Sequence, residues 1–408
     1  MTRICVLSVH GSPLSRLGTH EAGGMQAYVR ALSRAQGRRG HQVDIYTRRT
    51  DPDTAQIAPL GDNARVIQLD AGPTATVNKN LVLDFAPEFV CNLQRFTRAE
   101  GARYDVVHGH YWLSGWVGHL IAPRWRVPQV TMFHTLGRLK NRALAVGAET
   151  DARIHAEERI VAGSDWLVAA SEHERQALID LYGARRDRVA VIPCGVDLEL
   201  FRPIPADEAR ERLGLSGDVL LFVGRMDPIK GLDLLLRAFA RLPRRPDLTL
   251  VVVGGDGSEP EYQRNQILAR ELGIADRVQF RGAAPQDVLP DYYSAATACV
   301  VPSHYESFGL TAIEALACGT PVIASKVGGL PMVIQERENG LLVPWRRSEA
   351  LASRLAELLG DRALQTRLAR NARASVLRYG WENVADAVDD VYRLAAQPRN
   401  ARPFTEVV

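Results

Sequence analysis

Long apolar runs and paired cysteines are both scarce in this chain of 408 residues. No stretch of about 18 apolar residues occurs, so we expect no membrane-spanning helix. The apolar run near the N-terminus is short and lacks a small-residue cleavage site, which argues against a signal peptide. The five cysteines are odd in number and scattered, which favours buried reduced thiols over a disulfide framework or a metal site. We therefore expect a cytoplasmic protein.

Net charge is also small. Fifty Lys and Arg against 47 Asp and Glu leave a net charge of +3. This surplus is too small to indicate nucleic acid or an anionic membrane as the main partner, so any anion must be bound locally. A hydrophobic fraction of 46% and a charged fraction of 24% exclude disorder, coiled coil and collagen. The length favours two to three domains with a substantial core.

Short β-branched segments alternate with longer segments of helical periodicity, which predicts an α/β fold with parallel sheets. The predicted strands are Arg3–Val9, Val43–Thr47, Val66–Leu69, Tyr104–His108, Gln129–Phe133, Trp166–Ala170, Val219–Val223, Leu248–Val253, Val278–Phe280, Cys299–Val301 and Val322–Ala324. Apolar residues from Met25 to Ala35 recur at helical spacing. Ser171 and Glu174 form a capping box that predicts a helix ending near Tyr182.

Two prolines within Phe201–Pro205 exclude a helix there and favour an extended linker. We therefore predict a first domain over 1–195, a second over 206–380, and a C-terminal helix with its tail over 381–408 that packs toward the first domain. The expected architecture is two doubly wound domains with parallel sheets, facing a cleft. In such sheets, ligands bind outside the carboxyl ends of the strands.

Four glycine segments stand at predicted strand ends or helix starts, where backbone N–H groups can approach a phosphate. They are Gly23–Gly24, Gly224–Gly231, Gly254–Gly257 and Gly328–Leu330. Any one of them also fits an ordinary turn that needs glycine. Gly224–Gly231 is more informative because Arg225 and Lys230 place two cations at the mouth of a sheet, where they are suited to clamp a diphosphate.

Two carboxylates, Glu306 and Glu314, are eight residues apart. If the span is largely helical, they lie ~12 Å apart along the axis, close to the separation of a hexose and a ribose across a diphosphate. Carboxylates bind vicinal hydroxyls well because each oxygen accepts a hydrogen bond. The alternative is two unrelated surface glutamates. However, Glu314 lies within an apolar segment, and buried acids need partners.

In combination, these segments resemble glycosyltransferase family 4, retaining enzymes with the GT-B fold that use nucleotide sugars. The elements that carry the resemblance are Gly224-Arg225…Lys230-Gly231, Glu306-x7-Glu314 and Gly328-Gly329-Leu330-Pro331. The N-terminal half is most similar to D-inositol-3-phosphate N-acetylglucosaminyltransferases in Leu7–Leu14, Gly23–Met25 and His110–Gly115. It is also similar to sucrose-phosphate synthases, notably in Arg153–Glu158.

The resemblance implies that the first domain binds the acceptor and the second binds the nucleotide sugar. Arg225 and Lys230 would hold the diphosphate, and Glu314 the ribose. The remaining donor contacts implied are Glu306 with the backbone of Phe308, Gly309 and Leu310 for the hexose, Ala283 and Ala284 for the base, and Gly24 approaching the diphosphate from the opposite domain. His134 would lie beside the reacting carbon, so the implied catalytic set is His134, Glu306, Arg225 and Lys230.

On the acceptor side, the resemblance implies six binding residues: His10, Gln26, Lys79, Tyr111, Thr135 and Arg153. Lys79, Tyr111, Thr135 and Arg153 would grip a phosphate. Gln26 stands where the inositol-phosphate enzymes have asparagine, and Glu21-Ala22 replaces their Asp-Ser or Asp-Thr. These departures leave the identity of the acceptor open.

Three histidines, His108, His110 and His134, suggest a metal site at first sight. Without a motif such as His-Glu-x-x-His we interpret them as unrelated, and we expect neither a metal nor a further cofactor. The expected partners are a nucleotide sugar donor and a small phosphorylated acceptor, with homo-oligomerisation left open. The expected reaction transfers glucose or N-acetylglucosamine with retention, by departure and attack on one face.

Two alternative functions follow from the same scaffold. Transfer to a lipid-linked or polysaccharide acceptor is one, but synthases of the glycogen or starch type carry Lys-x-Gly-Gly where this chain has Glu21–Gly24. A non-catalytic or epimerase-like nucleotide-sugar-binding protein is the other, and the joint presence of His134, Arg225 and Glu306 argues against it. A dehydrogenase is disfavoured because no Gly-x-Gly-x-x-Gly segment follows a strand.

Overall fold

The computed structural model describes residues 1–15, 23–143 and 149–397. Within these ranges the chain forms two compact units. One comprises 1–15, 24–143, 149–193 and 381–397, and the other comprises residue 23 and 194–380. The change of unit falls between Pro193 and Cys194, just before the predicted linker. Glu21, Ala22 and residues 398–408 of the predicted tail lie outside the described residues.

An eight-stranded sheet forms the centre of the first unit, in the order β3-β4-β2-β1-β5-β6-β7-β8. Its strands are β1 (Arg3–Leu7), β2 (Gln42–Arg48), β3 (Ile57–Gly61), β4 (Ala64–Leu69), β5 (Val106–His110), β6 (Gln129–Met132), β7 (Trp166–Ala169) and β8 (Val189–Val191). The prediction of parallel strands is confirmed except at one edge, where β3 runs antiparallel to β4. That edge strand was not predicted because it buries little and contains Pro59.

Helices flank this sheet: α1 (Gly24–Arg38), α2 (Ala86–Ala99), α3 (Tyr111–Trp125), α4 (Gly137–Ala143), α5 (Asp151–Gly163) and α6 (Glu172–Tyr182). Helix α1 buries Tyr28, Val29 and Leu32 on the predicted stripe. The Ser171 side chain accepts a hydrogen bond from the Glu174 N–H at 3.3 Å. The predicted start of α6 is therefore confirmed, as is its end at Tyr182.

The second unit has a six-stranded parallel sheet in the order β11-β10-β9-β12-β13-β14. Its strands are β9 (Asp218–Val223), β10 (Leu248–Val253), β11 (Val278–Phe280), β12 (Ala298–Val301), β13 (Val322–Ser325) and β14 (Gly340–Val343). Its helices are α7 (Ala206–Leu213), α8 (Leu232–Ala240), α9 (Pro260–Glu271), α10 (Leu289–Ala295), α11 (Leu310–Ala317), α12 (Leu330–Val333), α13 (Ser348–Gly360) and α14 (Arg362–Val376). Leu235 and Phe239 of α8 join the strands in one buried apolar cluster.

The last helix, α15 (Trp381–Ala396), belongs to the first unit. Its Asp389 accepts hydrogen bonds from Gln36 Nε2 at 3.0 Å and Arg39 Nε at 3.1 Å, both on or just after α1. His41 Nε2 lies 3.1 Å from the same carboxylate. One carboxylate of α15 therefore contacts three polar side chains at the end of α1 and in the loop that follows it.

Two further predictions concern membrane and redox chemistry. Within the described ranges, no helix is both long and apolar enough to cross a bilayer. All five cysteines are free. Four of them are buried as predicted, but Cys91 is exposed on α2.

Replacing Asp389 with alanine should destabilise the first unit by about 2–4 kcal/mol, because it leaves three polar partners without their carboxylate. Five of the six tryptophans lie in the described part of this unit, so tryptophan fluorescence during urea unfolding follows it. Asp386→Ala is the control, since that side chain is 60% exposed and its ion pair with Arg39 should contribute less than about 1 kcal/mol. Equal losses in the two variants would contradict this role of Asp389.

Candidate active site

The strand order of each sheet reverses at one position, between β1 and β5 in the first unit and between β9 and β12 in the second. Parallel sheets of this kind bind ligands at that position, outside the carboxyl ends of the strands. The segments that follow these four strands carry His10, Tyr111, Arg225 and Glu306. The topology thus places predicted site residues at the reversal of each sheet.

In the second unit, an ion pair joins the two loops at the reversal. Lys230 Nζ lies 2.7 Å from Glu306 Oε2, and the Ser303 hydroxyl donates to the same oxygen at 3.4 Å. The Lys230 and Glu306 side chains are 24% and 16% exposed. The structure therefore brings together two residues that were predicted for different parts of the donor, the diphosphate and the hexose.

Arg225 lies in the same loop as Lys230 but is bound less tightly. Its Nη2 is 3.6 Å from Asp227 Oδ2, too long for a hydrogen bond, and its side chain is 40% exposed. Asp227 instead stabilises the turn Pro228–Lys230, because its carboxylate accepts a hydrogen bond from the Ile229 N–H at 3.1 Å. The guanidinium is thus able to turn toward an anion without losing a hydrogen bond to Asp227.

The expectation that Glu306 and Glu314 share one helix is wrong. Helix α11 begins at Leu310, so Glu306 lies in the preceding loop and the ~12 Å estimate for a helical span does not apply. Gly309 has φ +111°, a backbone conformation outside the helix that side chains disfavour. Phe308 turns inward and packs edge-on against the Tyr379 ring, with centroids 5.5 Å apart.

The glycine pair after β13 holds the Glu306 loop in place. A Cβ on Gly328 would lie 1.7 Å from the Glu306 carbonyl oxygen, and the Gly329 N–H donates to that oxygen at 3.0 Å. Likewise, a Cβ on Gly254 would lie 1.8 Å from the Gly224 carbonyl oxygen. Two of the four glycine segments are thus explained by close approach of neighbouring site loops.

Glu314 is enclosed within α11, and the Tyr293 hydroxyl donates to its Oε2 at 2.7 Å. Burial raises the pKa of this carboxyl to about 7, although the bond from Tyr293 acts in the opposite direction. Within the described second unit, no hydrogen bond or ion pair joins Glu314 to the Lys230–Glu306 pair. Ala283 and Ala284 lie in the irregular segment after β11, and Ala283 is exposed.

In the first unit, Arg153 of α5 is 1% exposed and forms hydrogen bonds with two of the predicted site residues. Its Nη1 donates to the Tyr111 hydroxyl at 2.9 Å. Its Nη2 donates to the Thr135 carbonyl at 2.7 Å and to the Thr135 hydroxyl at 3.2 Å. These residues come from the ends of β5 and β6, so one guanidinium joins two loops of the sheet.

This group also includes Lys140 and Glu149, which the sequence did not single out. The Glu149 carboxylate lies 2.9 Å from Arg153 Nη1, 2.8 Å from Lys140 Nζ and 3.3 Å from Lys79 Nζ. Although burial acts to raise it, the pKa of Glu149 is lowered to about 2 by Arg153, Lys140 and Lys79. The available sequence signal was the spacing of Glu149 and Arg153, four residues apart.

Glu157 is a second carboxylate that pairs with Arg153, at Nε of the guanidinium. It accepts from Arg153 Nε at 2.7 Å, from the Gly137 N–H at 3.0 Å and from the Tyr182 hydroxyl at 2.5 Å. Its side chain is wholly buried. We call this group the Arg153 cluster: Lys79, Tyr111, Thr135, Lys140, Glu149, Arg153 and Glu157.

Two further predicted residues of this unit lie beside the cluster. The His10 ring stacks on Tyr111 with centroids 4.5 Å apart, and burial, Lys79 and Arg153 lower its pKa to about 3. Gln26 is buried on α1, and a Cβ on neighbouring Gly11 would lie 2.6 Å from its Nε2. Gly24 is the first residue of α1 and is exposed.

The three histidines are close together, so interpreting them as unrelated is wrong. His110 Nδ1 lies 3.0 Å from His134 Nε2, and the His108 and His110 rings are 4.2 Å apart between centroids. Burial lowers the pKa of all three, that of His134 to about 3, so they are neutral near pH 7. The described residues hold no group of three or more His, Cys, Asp or Glu side chains arranged to bind a metal ion.

Backbone strain marks the same strand ends. Tyr111 has φ +75° and His134 has φ +60°, in the left-handed region that residues other than glycine seldom adopt. Such conformations persist where the surrounding structure over-determines them, and they concentrate at functional sites. Here they direct one side chain toward the Arg153 cluster and the other toward His110.

Comparison with known proteins identifies the family of the chain. Residues 22–200 match the family model Glycosyltransferase Family 4, and residues 205–375 match Glycosyl transferases group 1. The D-inositol 3-phosphate glycosyltransferase of Xylanimonas cellulosilytica is 45% identical over 98% of both chains. The enzyme of that name from Frankia alni is 43% identical over 96% of this chain and 99% of its own.

Solved structures show the same architecture. Sucrose-phosphate synthase from Thermosynechococcus elongatus has a TM-score of 0.89 at 36% identity, covering 96% of this chain and 98% of that one. Anabaena HepE in complex with UDP and glucose has a TM-score of 0.77 at 21% identity, covering 96% and 100%, a likeness of fold alone. The two doubly wound units define a GT-B fold. The chain belongs to the glycosyltransferases, with a family 4 N-terminal half and a group 1 C-terminal half.

Replacing Glu314 with glutamine should stabilise the protein at pH 8. The pKa of the Glu314 carboxyl is about 7 in the folded protein, above its ordinary value of 4.5. Between these two pH values the unfolded chain loses this proton more readily than the folded protein does, so the free energy of unfolding falls as pH rises. The loss reaches about 3 kcal/mol above pH 7. We expect calorimetry to show the variant more stable at pH 8 and the difference to shrink at pH 5. The exposed Glu271→Gln serves as control, with little change across this range. A difference in stability between the variant and the wild type that is the same at pH 5 and pH 8 would contradict the raised pKa of Glu314.

Proposed function

We propose that this glycosyltransferase moves a hexosyl group, glucose or N-acetylglucosamine, from a nucleotide diphosphate sugar to a small phosphorylated sugar or polyol, with retention. The N-terminal unit supplies the acceptor groups and the C-terminal unit supplies the donor groups. The observation that carries the acceptor assignment is the Arg153 cluster, in which three cations surround one buried carboxylate at the ends of β5 and β6.

A phosphate suits this cluster better than a neutral hydroxyl does. Three cations and two carboxylates leave one net positive charge in a largely buried place, whereas the whole chain carries only +3. Arginine presents a planar fork that matches phosphate oxygens, and lysine adds a mobile point charge. The hydroxyls of Tyr111 and Thr135 supply further donors. The names of both kinds of relative, D-inositol 3-phosphate glycosyltransferase and sucrose-phosphate synthase, include a phosphate ester, which supports this proposal.

On the donor side, Lys230 and Arg225 would hold the diphosphate, and Glu306 the hexose hydroxyls. Lys230 is neutralised by Glu306 in the free protein, so its ammonium would be shared with the incoming diphosphate. Glu314 would take the ribose hydroxyls, and the backbone at Ala283 and Ala284 the base. The chain's own cations, rather than a divalent ion, would then neutralise the leaving group.

The chemistry would proceed on one face of the sugar. Glu306 is held by Lys230 and Ser303, which makes it a weak nucleophile and supports direct transfer over a covalent glycosyl-enzyme. A leaving-group oxygen would help to deprotonate the acceptor hydroxyl. His134 is neutral, so its role beside the reacting carbon would be a hydrogen bond rather than a charge.

Lys230→Gln should lower kcat by about 10²-fold or more, because charge on the departing diphosphate would lose its stabilisation. Steady-state kinetics with saturating donor measure the effect. Arg264→Gln is the matched control, since that side chain is 71% exposed on α9, and its kcat should equal that of the wild type. Unchanged turnover in Lys230→Gln would remove Lys230 from the donor site.

The proposed function is tested with the wild-type chain. UDP-glucose, UDP-N-acetylglucosamine, ADP-glucose and GDP-mannose are each assayed with inositol 3-phosphate, a hexose 6-phosphate and their unphosphorylated counterparts. We expect kcat/KM to be about 10²-fold higher or more for a phosphorylated acceptor, since charged hydrogen bonds to phosphate contribute several kcal/mol. Equal use of unphosphorylated or lipid-linked acceptors would contradict the proposal. Wild type is preferable to Arg153→Ala, which leaves two buried carboxylates without their cation.

A further inference from the structure

The Arg153 guanidinium is closely paired with protein groups. Its Nε–H donates to Glu157, its Nη1 to the Tyr111 hydroxyl, and its Nη2 to the carbonyl and hydroxyl of Thr135. The Glu149 carboxylate forms an ion pair with Nη1 at 2.9 Å. A phosphate that approaches Nη1 therefore competes with the Glu149 carboxylate.

Among the partners of Arg153, Glu149 is the one that a phosphate can displace most readily. Glu157 is fixed by the Gly137 N–H and the Tyr182 hydroxyl as well as by Arg153, and the Thr135 carbonyl belongs to the main chain. Glu149 is instead held by side-chain cations, one of which, Lys79, is 42% exposed. Lys79 therefore gives the cluster a side chain in contact with solvent, whereas the Glu149 side chain is 2% exposed.

The charge balance of the cluster also favours displacement of Glu149 by a phosphate. With Glu149 in place, the three cations and two carboxylates of the cluster carry one net positive charge. Adding a phosphate dianion while Glu149 stays would leave one net negative charge in a buried place. If phosphate replaces Glu149, the remaining charges cancel, and a buried cluster favours that outcome.

The main chain at Glu149 is anchored independently of its carboxylate. Asn141 Oδ1 accepts from the Glu149 N–H at 3.0 Å, and Asn141 Nδ2 donates to the Glu149 carbonyl at 3.3 Å. Thr150, the next residue, caps α5 by accepting from the Arg153 N–H. Rotation of the Glu149 side chain alone can therefore vacate the cations without unwinding α5.

Building on the proposed function, we propose that the Glu149 carboxylate is an internal competitor that occupies the acceptor-phosphate position until a phosphorylated acceptor displaces it. In the free enzyme it keeps Lys79, Lys140 and Arg153 assembled. A dianion with several oxygens can displace it, whereas a neutral hydroxyl cannot. Glu149 is thus a specificity-determining residue that sets the threshold for acceptor binding.

The test is Glu149→Gln, which removes the competing charge and keeps hydrogen-bonding groups of the same size. The apparent KM for inositol 3-phosphate, or for the phosphorylated acceptor that the wild type uses, should fall about 10-fold, because displacement no longer reduces the apparent affinity. Inhibition by inorganic phosphate should strengthen by a similar factor. The change should appear as a higher kcat/KM for the phosphorylated acceptor.

Glu172→Gln is the matched control, the same chemical change at an exposed carboxylate on α6, and it should leave all these constants unchanged. An unchanged or higher KM in Glu149→Gln would overturn the proposal and show that Glu149 organises the cations with phosphate bound. If Glu149→Gln does not fold, Glu149→Asp keeps the charge but shortens its reach, and the KM should still fall, by a smaller factor. A KM unchanged in that variant would likewise overturn the proposal.

Failure of the proposed function is distinguishable from failure of this inference. If the wild type does not use phosphorylated acceptors and is not inhibited by inorganic phosphate, the acceptor assignment is wrong whatever the variants do. If the wild type prefers phosphorylated acceptors and Glu149→Gln does not bind them more tightly, only the role of Glu149 is wrong.

Discussion

A guanidinium buried to 1% exposure is the constraint on which the N-terminal site depends. A buried charge is costly unless it is paired and hydrogen-bonded, and Arg153 forms ion pairs with two carboxylates and donates hydrogen bonds to a tyrosine and a threonine. These partners lie on or just before α5 and at the ends of β5 and β6. Satisfying one side chain therefore fixes the relative positions of three segments, which are then preorganised for a ligand.

The C-terminal unit follows the same physical logic with a smaller set of charges. Lys230 and Glu306 neutralise each other at the reversal of the sheet, and the Gly328–Gly329 approach fixes the loop that carries Glu306. In each unit, a lysine or arginine assigned to substrate forms an ion pair with a glutamate of the protein, Lys230 with Glu306 and Arg153 with Glu149. Substrate binding would then be an exchange of partners rather than the filling of vacant charges, and the resident partner would influence which substrates compete successfully.

Hydrophobic periodicity predicted most of the sheet framework, because buried parallel strands are short β-branched runs. Leu248–Val253 and Val278–Phe280 match the structure to the residue. Strands β3, β8 and β14 were not predicted, since they are short and lie at sheet edges. Motif resemblance identified residues that gather in the Arg153 cluster but not Lys140, Glu149 or Glu157 as their partners. Pairing between loops arises only on folding, and spacing along the chain does not encode it. The helical span assumed for Glu306 failed for a local reason, the backbone at Gly309.

In the proposed mode of binding, an acceptor phosphate binds the cations of the Arg153 cluster in place of Glu149. A crystal structure of the full chain with inositol 3-phosphate, or with the phosphorylated acceptor that it uses, tests this mode of binding. We expect phosphate oxygens within hydrogen-bond distance of Lys79 Nζ and Arg153 Nη1, with the Glu149 carboxylate turned away. A phosphate bound elsewhere, or bound while Glu149 remains 2.9 Å from Arg153, would contradict it.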